Sequence, residues 1–457
     1  MQINQLGISN YSAPARACGN CEEHAPADGV TFGERPPKPE KCFPFGRGPA
    51  VATVASIAPA TAEEVRSAVA ANNVFTLDLH RELAGSNGGS FFLSPFNANT
   101  CMSMVLAGAR GTTADGVSAA LRQSELANLN GDRVHAAVGA LCQQTEVQSE
   151  GVAITTSNRV FSQDGYPVTP EFQAVTRDAY GSEAQTLNFQ SDPEGSRQTI
   201  NGKVSEDTKE RIPNLLPEGS VDGNTVVVLT SAIHFDGKWD AKFPEENDHP
   251  ARFQSPEGPV DCTMMNLKKD FPYTAFNLDG RPVNWGEEPD VKVVELPYQG
   301  GRFSRLVFVP RDADGLAALE SQLTPQNLEK WTGQMYESEV DVYFPKNEVR
   351  SKFELKDPLT KMGAGEIFES GADLSGIGPG DLKVSNVFHE TWVKDNNVGT
   401  EFAAATGAVV ALECMVQTNE VRADRPFFTL VKDKETGAIL ATQRVLKPEW
   451  TEEKQAE

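Results

Sequence analysis

The period of the apolar residues changes along this chain, and that change restricts the folds open to it. After Thr61-Ala62-Glu63-Glu64, a capping box, Val65, Val69, Leu79 and Leu83 recur near helical spacing, and Gly85 is placed to end the helix. A second helix is predicted through Met102, Val105 and Leu106. Further on the pattern becomes that of strands. Asn224–Leu229 is a short β-branched run suited to a strand buried on both faces, and Val340–Phe344 alternates. Phe427–Val431 and Ile439–Val445 flank Lys434-Glu435-Thr436-Gly437, a hairpin. Helices early and strands late imply an α+β fold in one large domain.

The first 58 residues read as a separate tail. Arg35-Pro36-Pro37-Lys38-Pro39-Glu40-Lys41 fits neither a regular helix nor a central strand. The tail is therefore expected to be extended or disordered, the folded domain to span 59–449, and 450–457 to form a short C-terminal tail. Lys plus Arg number 41 and Asp plus Glu 64, a net charge of −23. A field of that sign repels nucleic acid, anionic membranes and sulfated polysaccharide. No stretch approaches the roughly 20 apolar residues of a membrane span. The segment Met1-Gln2-Ile3-Asn4-Gln5 has no basic patch followed by an apolar run, so no signal peptide is expected there.

No catalytic constellation emerges. His389-Glu390 opens an H-E-x-x-H frame, but Val393 occupies the second histidine position, and neither a G-x-S-x-G elbow nor a P-loop is present. The one candidate metal cluster is Cys18, Cys21, His24 and Cys42. It lacks a second pair at standard spacing, so the tail is expected to hold a disulfide if secreted, or free thiols if cytosolic. No metal, no cofactor and no enzymatic activity are expected. The seven cysteines leave at least one thiol free, and Cys101 and Cys262 read as small buried residues.

Several blocks, in order, resemble the serpins. They include Ser94-Pro95 at a helix head, Asn201 through Ile212-Pro213-Asn214-Leu215-Leu216, and Ala232-Ile233-His234-Phe235-Asp236-Gly237-Lys238-Trp239. Met264-Met265, Glu295-Leu296-Pro297-Tyr298, Ala372–Ile377 and Ala423-Asp424-Arg425-Pro426-Phe427 continue the series. The resemblance implies a single domain with about nine helices, three β-sheets and an exposed reactive-centre loop. Ser94, Asn97, Ser231 and His389 fall in the shutter segment of that family, with His389 expected to hydrogen-bond near Ser231, and Trp239 falls at its breach.

The segment Gly399-Thr400-Glu401-Phe402-Ala403-Ala404-Ala405-Thr406, continuing to Val410, has no proline and one charge. Read alone it suits a helix as well as a strand. The resemblance decides for a mobile loop whose hinge is Gly399–Thr406. Inserted as a central strand, it would turn Thr400, Phe402, Ala404, Thr406, Ala408 and Val410 to the core and Glu401 to water. The family mechanism follows: a protease attacks a bait bond, forms an acyl-enzyme, and is dragged and distorted as the cut loop enters the sheet. Loop length places the bond at Glu413-Cys414, with Leu412-Glu413 as the alternative.

Phe402 stands where inhibitory members carry a small residue and Asn397 where they carry glutamate. Asn97 and Ser231 replace the usual serine and asparagine, and Gln443 replaces a glycine before Arg444. Two functions are therefore weighed. One is a suicide inhibitor of a serine or cysteine protease; the other is a non-inhibitory member acting as carrier, chaperone or peptide precursor. A monomer with no heparin-type activation is expected, extracellular by family habit, with cytoplasmic as the alternative.

Overall fold

The computed structural model describes residues 57–123, 131–149, 151–400 and 419–450. All lie in one contact unit, Val54–Glu457; the N-terminal tail and the C-terminal end lie outside the described residues. The predicted capping box forms. Thr61 Oγ1 accepts from the Glu64 amide at 3.3 Å, and the Glu64 carboxylate accepts from the Thr61 amide at 2.6 Å. Helix α1 (Ala62–Ser86) runs one residue past Gly85, and the Asn87 amide closes it on Leu83 O at 2.8 Å.

Eight more helices follow among the described residues: α2 (Pro95–Gly108), α3 (Gly111–Ala120), α4 (Asp132–Thr145), α5 (Pro170–Tyr180), α6 (Pro193–Asp207), α7 (Leu316–Ser321), α8 (Pro325–Thr332) and α9 (Lys356–Leu359). The strands are β1 (Phe91–Leu93), β2 (Val147–Gln148), β3 (Val152–Gln163), β4 (Ala184–Leu187), β5 (Val227–Lys238), β6 (His249–Ser255), β7 (Gly258–Phe276) and β8 (Val291–Pro297). They continue as β9 (Phe303–Pro310), β10 (Tyr336–Pro345), β11 (Asn347–Glu354), β12 (Phe388–Asp395), β13 (Gly399–Thr400), β14 (Asn419–Arg422), β15 (Phe427–Asp433) and β16 (Ile439–Val445). The α+β expectation holds.

One sheet has seven strands in the order β11-β12-β13-β5-β3-β2, with β4 on β3. The other has nine, β1-β16-β15-β9-β8-β7-β10-β14, with β6 on β7. The three expected sheets are these two, the larger being two strand sets joined through β7, whose 19 residues pair with β6, β10 and β8 in turn. The predicted hairpin is β15–β16, antiparallel with Leu430 opposite Thr442. The expected strand at Asn224–Leu229 is displaced: Asp222 caps a turn, accepting from the Asn224 amide at 2.9 Å, so pairing begins at Val227. Its valines are half-buried rather than covered on both faces.

The main core fills the space between the sheets and α1, α2, α4 and α5. Helix α6 covers the outer face of the seven-stranded sheet, with Ile200, Val204, Ile212, Leu215 and Leu216 packed against Phe161 and Ala232. Two polar ties fix it. Asn201 bonds the Leu216 backbone through both its amide nitrogen (2.9 Å) and oxygen (2.8 Å), and Arg159 grips Asp207 at 2.6 and 2.7 Å.

Candidate functional site: the root of the loop between two strands

Strand β12 reverses at Asn396–Val398, where Asn396 Oδ1 accepts from the amides of Val398 (2.9 Å) and Gly399 (3.2 Å), the local bonding that suits asparagine to turns. The chain then enters the sheet. Thr400 pairs with Asp395 on one side and with Gly237 on the other, and Gly399 pairs with Lys238. Among the described residues, β5 and β12 are joined through these two residues alone. Glycine is required at 399 because a Cβ there would stand 2.2 Å from Gly237 O.

Thr400 is buried and faces the core, so the first two residues of the segment expected as a mobile hinge are already paired in the sheet. Its hydroxyl lies 2.7 Å from the Tyr298 hydroxyl and donates to Asp395 Oδ1 at 3.1 Å. Tyr298 stacks on Trp239, centroids 4.8 Å apart with planes 10° from parallel, and Trp239 Nε1 donates to Asn396 O at 3.0 Å. Trp239, read as the breach residue, thus braces both the sheet end and the turn feeding the loop. Asn397 is buried and donates to Asp248 Oδ1 at 2.8 Å. A glutamate there would set a second carboxylate against Asp248, so the asparagine suits its partner. A small cavity of 30 Å³ lies beneath Thr400, lined by Phe92, Ser94, Ile233, Phe235 and Thr391 among others.

Lower in the sheet, Ser94 opens α2 with Pro95 in its first turn. The Ser94 amide donates to His389 Nε2 at 3.1 Å, and its hydroxyl donates to Leu440 O at 3.0 Å. This replaces the expected partnership of His389 with Ser231, whose hydroxyl donates to Asn158 Oδ1 at 2.8 Å. The half-buried Ser231 reaches its cross-strand neighbour on β3, which leaves His389 to receive the free amide at the head of α2. Asn97 is buried in the first turn of α2. Burial holds His389 down to about 4, so the ring is neutral and its Nε2 lone pair accepts.

A feature that sequence reading missed lies under the loop root. Arg305, on β9, is fully buried, and its guanidinium pairs with the equally buried Asp395. Nε donates to Thr429 Oγ1 at 3.0 Å, and one terminal nitrogen bonds the Gln443 side-chain oxygen. Gln443 was the signal available. A polar residue where the related pattern has glycine needs a partner when buried, and the partner is an arginine in a wholly buried strand.

Of the remaining hinge residues, Glu401, Phe402, Ala403, Ala404, Ala405 and Thr406, and both proposed bonds at Leu412, Glu413 and Cys414, lie outside the described residues. So do Cys18, Cys21, His24 and Cys42. Among the described residues no group of three or more His, Cys, Asp or Glu is placed to hold a metal. Cys101, Cys142 and Cys262 are free thiols, pushed by burial up to about 12, 11 and 11. No helix among the described residues is long and apolar enough to cross a membrane.

A helix-clad mixed sheet of seven strands joined to a second, nine-stranded sheet in one domain is the architecture of the serpins. The chain belongs to this family: the family model "Serpin (serine protease inhibitor)" matches residues 70–448. Among its relatives, leukocyte elastase inhibitor of Bos taurus is 36% identical over 389 residues, covering 83% of this chain and 99% of the relative. Uncleaved ovalbumin superposes with a TM-score of 0.72 at 28% identity, over 83% of this chain and 99% of that one. A loop-inserted, cleaved ovalbumin mutant gives 0.73 at 26% identity, over 83% and 100%.

Proposed function

We propose that this serpin is a suicide inhibitor of a serine or cysteine protease, and that residues 401–418 carry the bait. The observation that carries the reading is the placement of Gly399–Thr400 between β5 and β12. Thr400 stands in that sheet and Asn419 in the other one, where β14 pairs parallel to β10. Cleavage between these anchors frees the Thr400 end to continue as a strand. Because Thr400 faces the core, strand parity turns Phe402, Ala404 and Thr406 inward and Glu401 outward. Relatives named leukocyte elastase inhibitor favour a serine protease as the target class. Glu413-Cys414 would suit a pocket carrying Arg or Lys, and Leu412-Glu413 an apolar pocket.

The test is a panel of serine and cysteine proteases assayed for a complex stable in denaturing gels, with mass spectrometry of the released C-terminal fragment. A fragment beginning at Cys414 or Glu413 assigns the bond. Complete cleavage without complex by every enzyme rejects inhibition and leaves the carrier, chaperone or peptide-precursor reading, which the bulk of the inward-facing Phe402 favours. The three unpaired thiols of the described body suit a reducing compartment, so the cytoplasmic location is proposed over the extracellular one.

A further inference from the structure

Gln443 and the buried Arg305 have no part in the family mechanism outlined above, yet they converge on the loop root. Tyr298 OH lies 2.7 Å from Thr400 Oγ1, Thr400 donates to Asp395 Oδ1, and the same carboxylate is paired with Arg305. Thr429 on β15 and Gln443 on β16 hold the guanidinium from the opposite sheet. All six side chains are buried.

We propose that Arg305, Asp395 and Gln443 form a latch that holds Thr400 inside the sheet in the uncut protein, so that the loop root is inserted before any protease arrives. The proposal rests on the reading of residues 401–418 as an inserting loop and adds what fixes its starting position. Withdrawing Thr400 would leave the Tyr298 hydroxyl without its neighbour. It would also deprive Asp395 of one hydrogen bond, while its second oxygen already lacks a partner. Buried polar groups left unmatched are costly, so the cluster opposes withdrawal. Gly399 adds the geometric condition, since a side chain there would strike Gly237. The arginine is gripped by β15 and β16, so the nine-stranded sheet positions the latch that acts on the seven-stranded one.

Hydrogen exchange with mass spectrometry on the intact full-length chain, without protease, tests this. Two variants avoid stranding a buried charge: Thr400→Val, which keeps the shape and removes the hydroxyl, and the double change Arg305→Met/Asp395→Leu, which replaces the pair by apolar groups. The expected result is protection of residues 396–400 in the parent, reduced about tenfold or more in both variants. Ile439–Val445 should change by a smaller factor. Equal protection of 396–400 in parent and variants overturns the latch. So does a fall at 396–400 no larger than that of Ile439–Val445, because the cluster would then only stabilise the whole fold. Failure of the inhibitory reading shows separately, as cleavage without complex.

Discussion

The two sheets of this molecule are built to opposite ends. In the nine-stranded sheet, β9, β15 and β16 form antiparallel ladders with one register shift, between Val431 and Lys432; Phe428 lies opposite Phe308 and Arg444, and every residue of β9 is buried. In the seven-stranded sheet, β3 and β5 are paired over eleven positions, but among the described residues the next link, from β5 to β12, consists of Gly399 and Thr400. The first sheet draws its stability from continuous apolar packing. The second depends at its centre on two small residues and a few hydrogen bonds. Changes in the first away from Arg305, Thr429 and Gln443 should therefore alter stability without altering fate after cleavage, and changes at the loop root should do the reverse.

The largest expected effect is at the root. Thr400→Arg is expected to expel the root from the sheet and abolish the protease complex while leaving the loop cleavable, because keeping residue 400 in the sheet would bury a charge beside Arg305. An unpaired buried charge costs several kcal/mol. Titration of inhibitor against protease, read on denaturing gels, checks this; complex formation at the parent stoichiometry would refute the inserted register. In the nine-stranded sheet, Phe428 is fully buried, 4.9 Å from the His80 ring and 5.6 Å from Phe308. Phe428→Ala should lower stability by about 3–5 kcal/mol in denaturant unfolding. The fraction of protein that forms complex should stay at the parent value, and a change in that fraction would break the division between the two sheets.

Acid should act mainly through neutral buried histidines. His389 at the head of α2 and His135 beside Tyr180 are both held down to about 4 from an ordinary 6.5, chiefly by burial. The unfolded chain then binds protons that the folded chain does not, so the histidine contribution to stability falls as pH drops from about 6.5 to about 4 and is constant below. The loss is on the order of 3 kcal/mol per histidine. His389→Gln, whose side-chain oxygen can accept from the Ser94 amide, should remove one share of that slope; an unchanged slope would show that His389 is not neutral in the fold.

Local chemistry was legible in the sequence, and long-range chemistry was legible only where a pattern pointed to it. The capping box at Thr61, the β15–β16 hairpin and the alternation of β10 each depend on residues a few positions apart, and each formed as read. The start of β5 slipped because Asp222 captures the backbone into a turn ahead of the β-branched run. At the site, Trp239, His389 and Thr400 are all buried. The partners did not follow from position. His389 bonds Ser94, 295 residues away, and Arg305 pairs with Asp395 across 90 residues. In sequence, an arginine in the run Phe303–Pro310 gives no sign of its burial, and only the anomalous Gln443 hinted that a polar partner was needed.

The smallest expected effect is on polysaccharide. Counterion release requires several cationic side chains on one face, each contributing to the salt dependence. On α4 the sequence Asp132-Arg133-Val134-His135 offers two basic residues, and the fold removes both. Arg133 Nε is 2.8 Å from Glu64 Oε1, and its other nitrogens reach Ala58 O at 2.7 Å and Pro59 O at 3.1 Å, so the guanidinium is committed to the start of α1. His135 is buried and held neutral, its Nδ1 2.8 Å from the Tyr180 hydroxyl. The remaining field is that of a chain with net charge −23. The protein should pass through a heparin column at physiological salt, and heparin should leave the rate of complex formation unchanged. Retention there, with a steep fall on added salt, would place a cationic surface outside α4 and overturn the electrostatic argument.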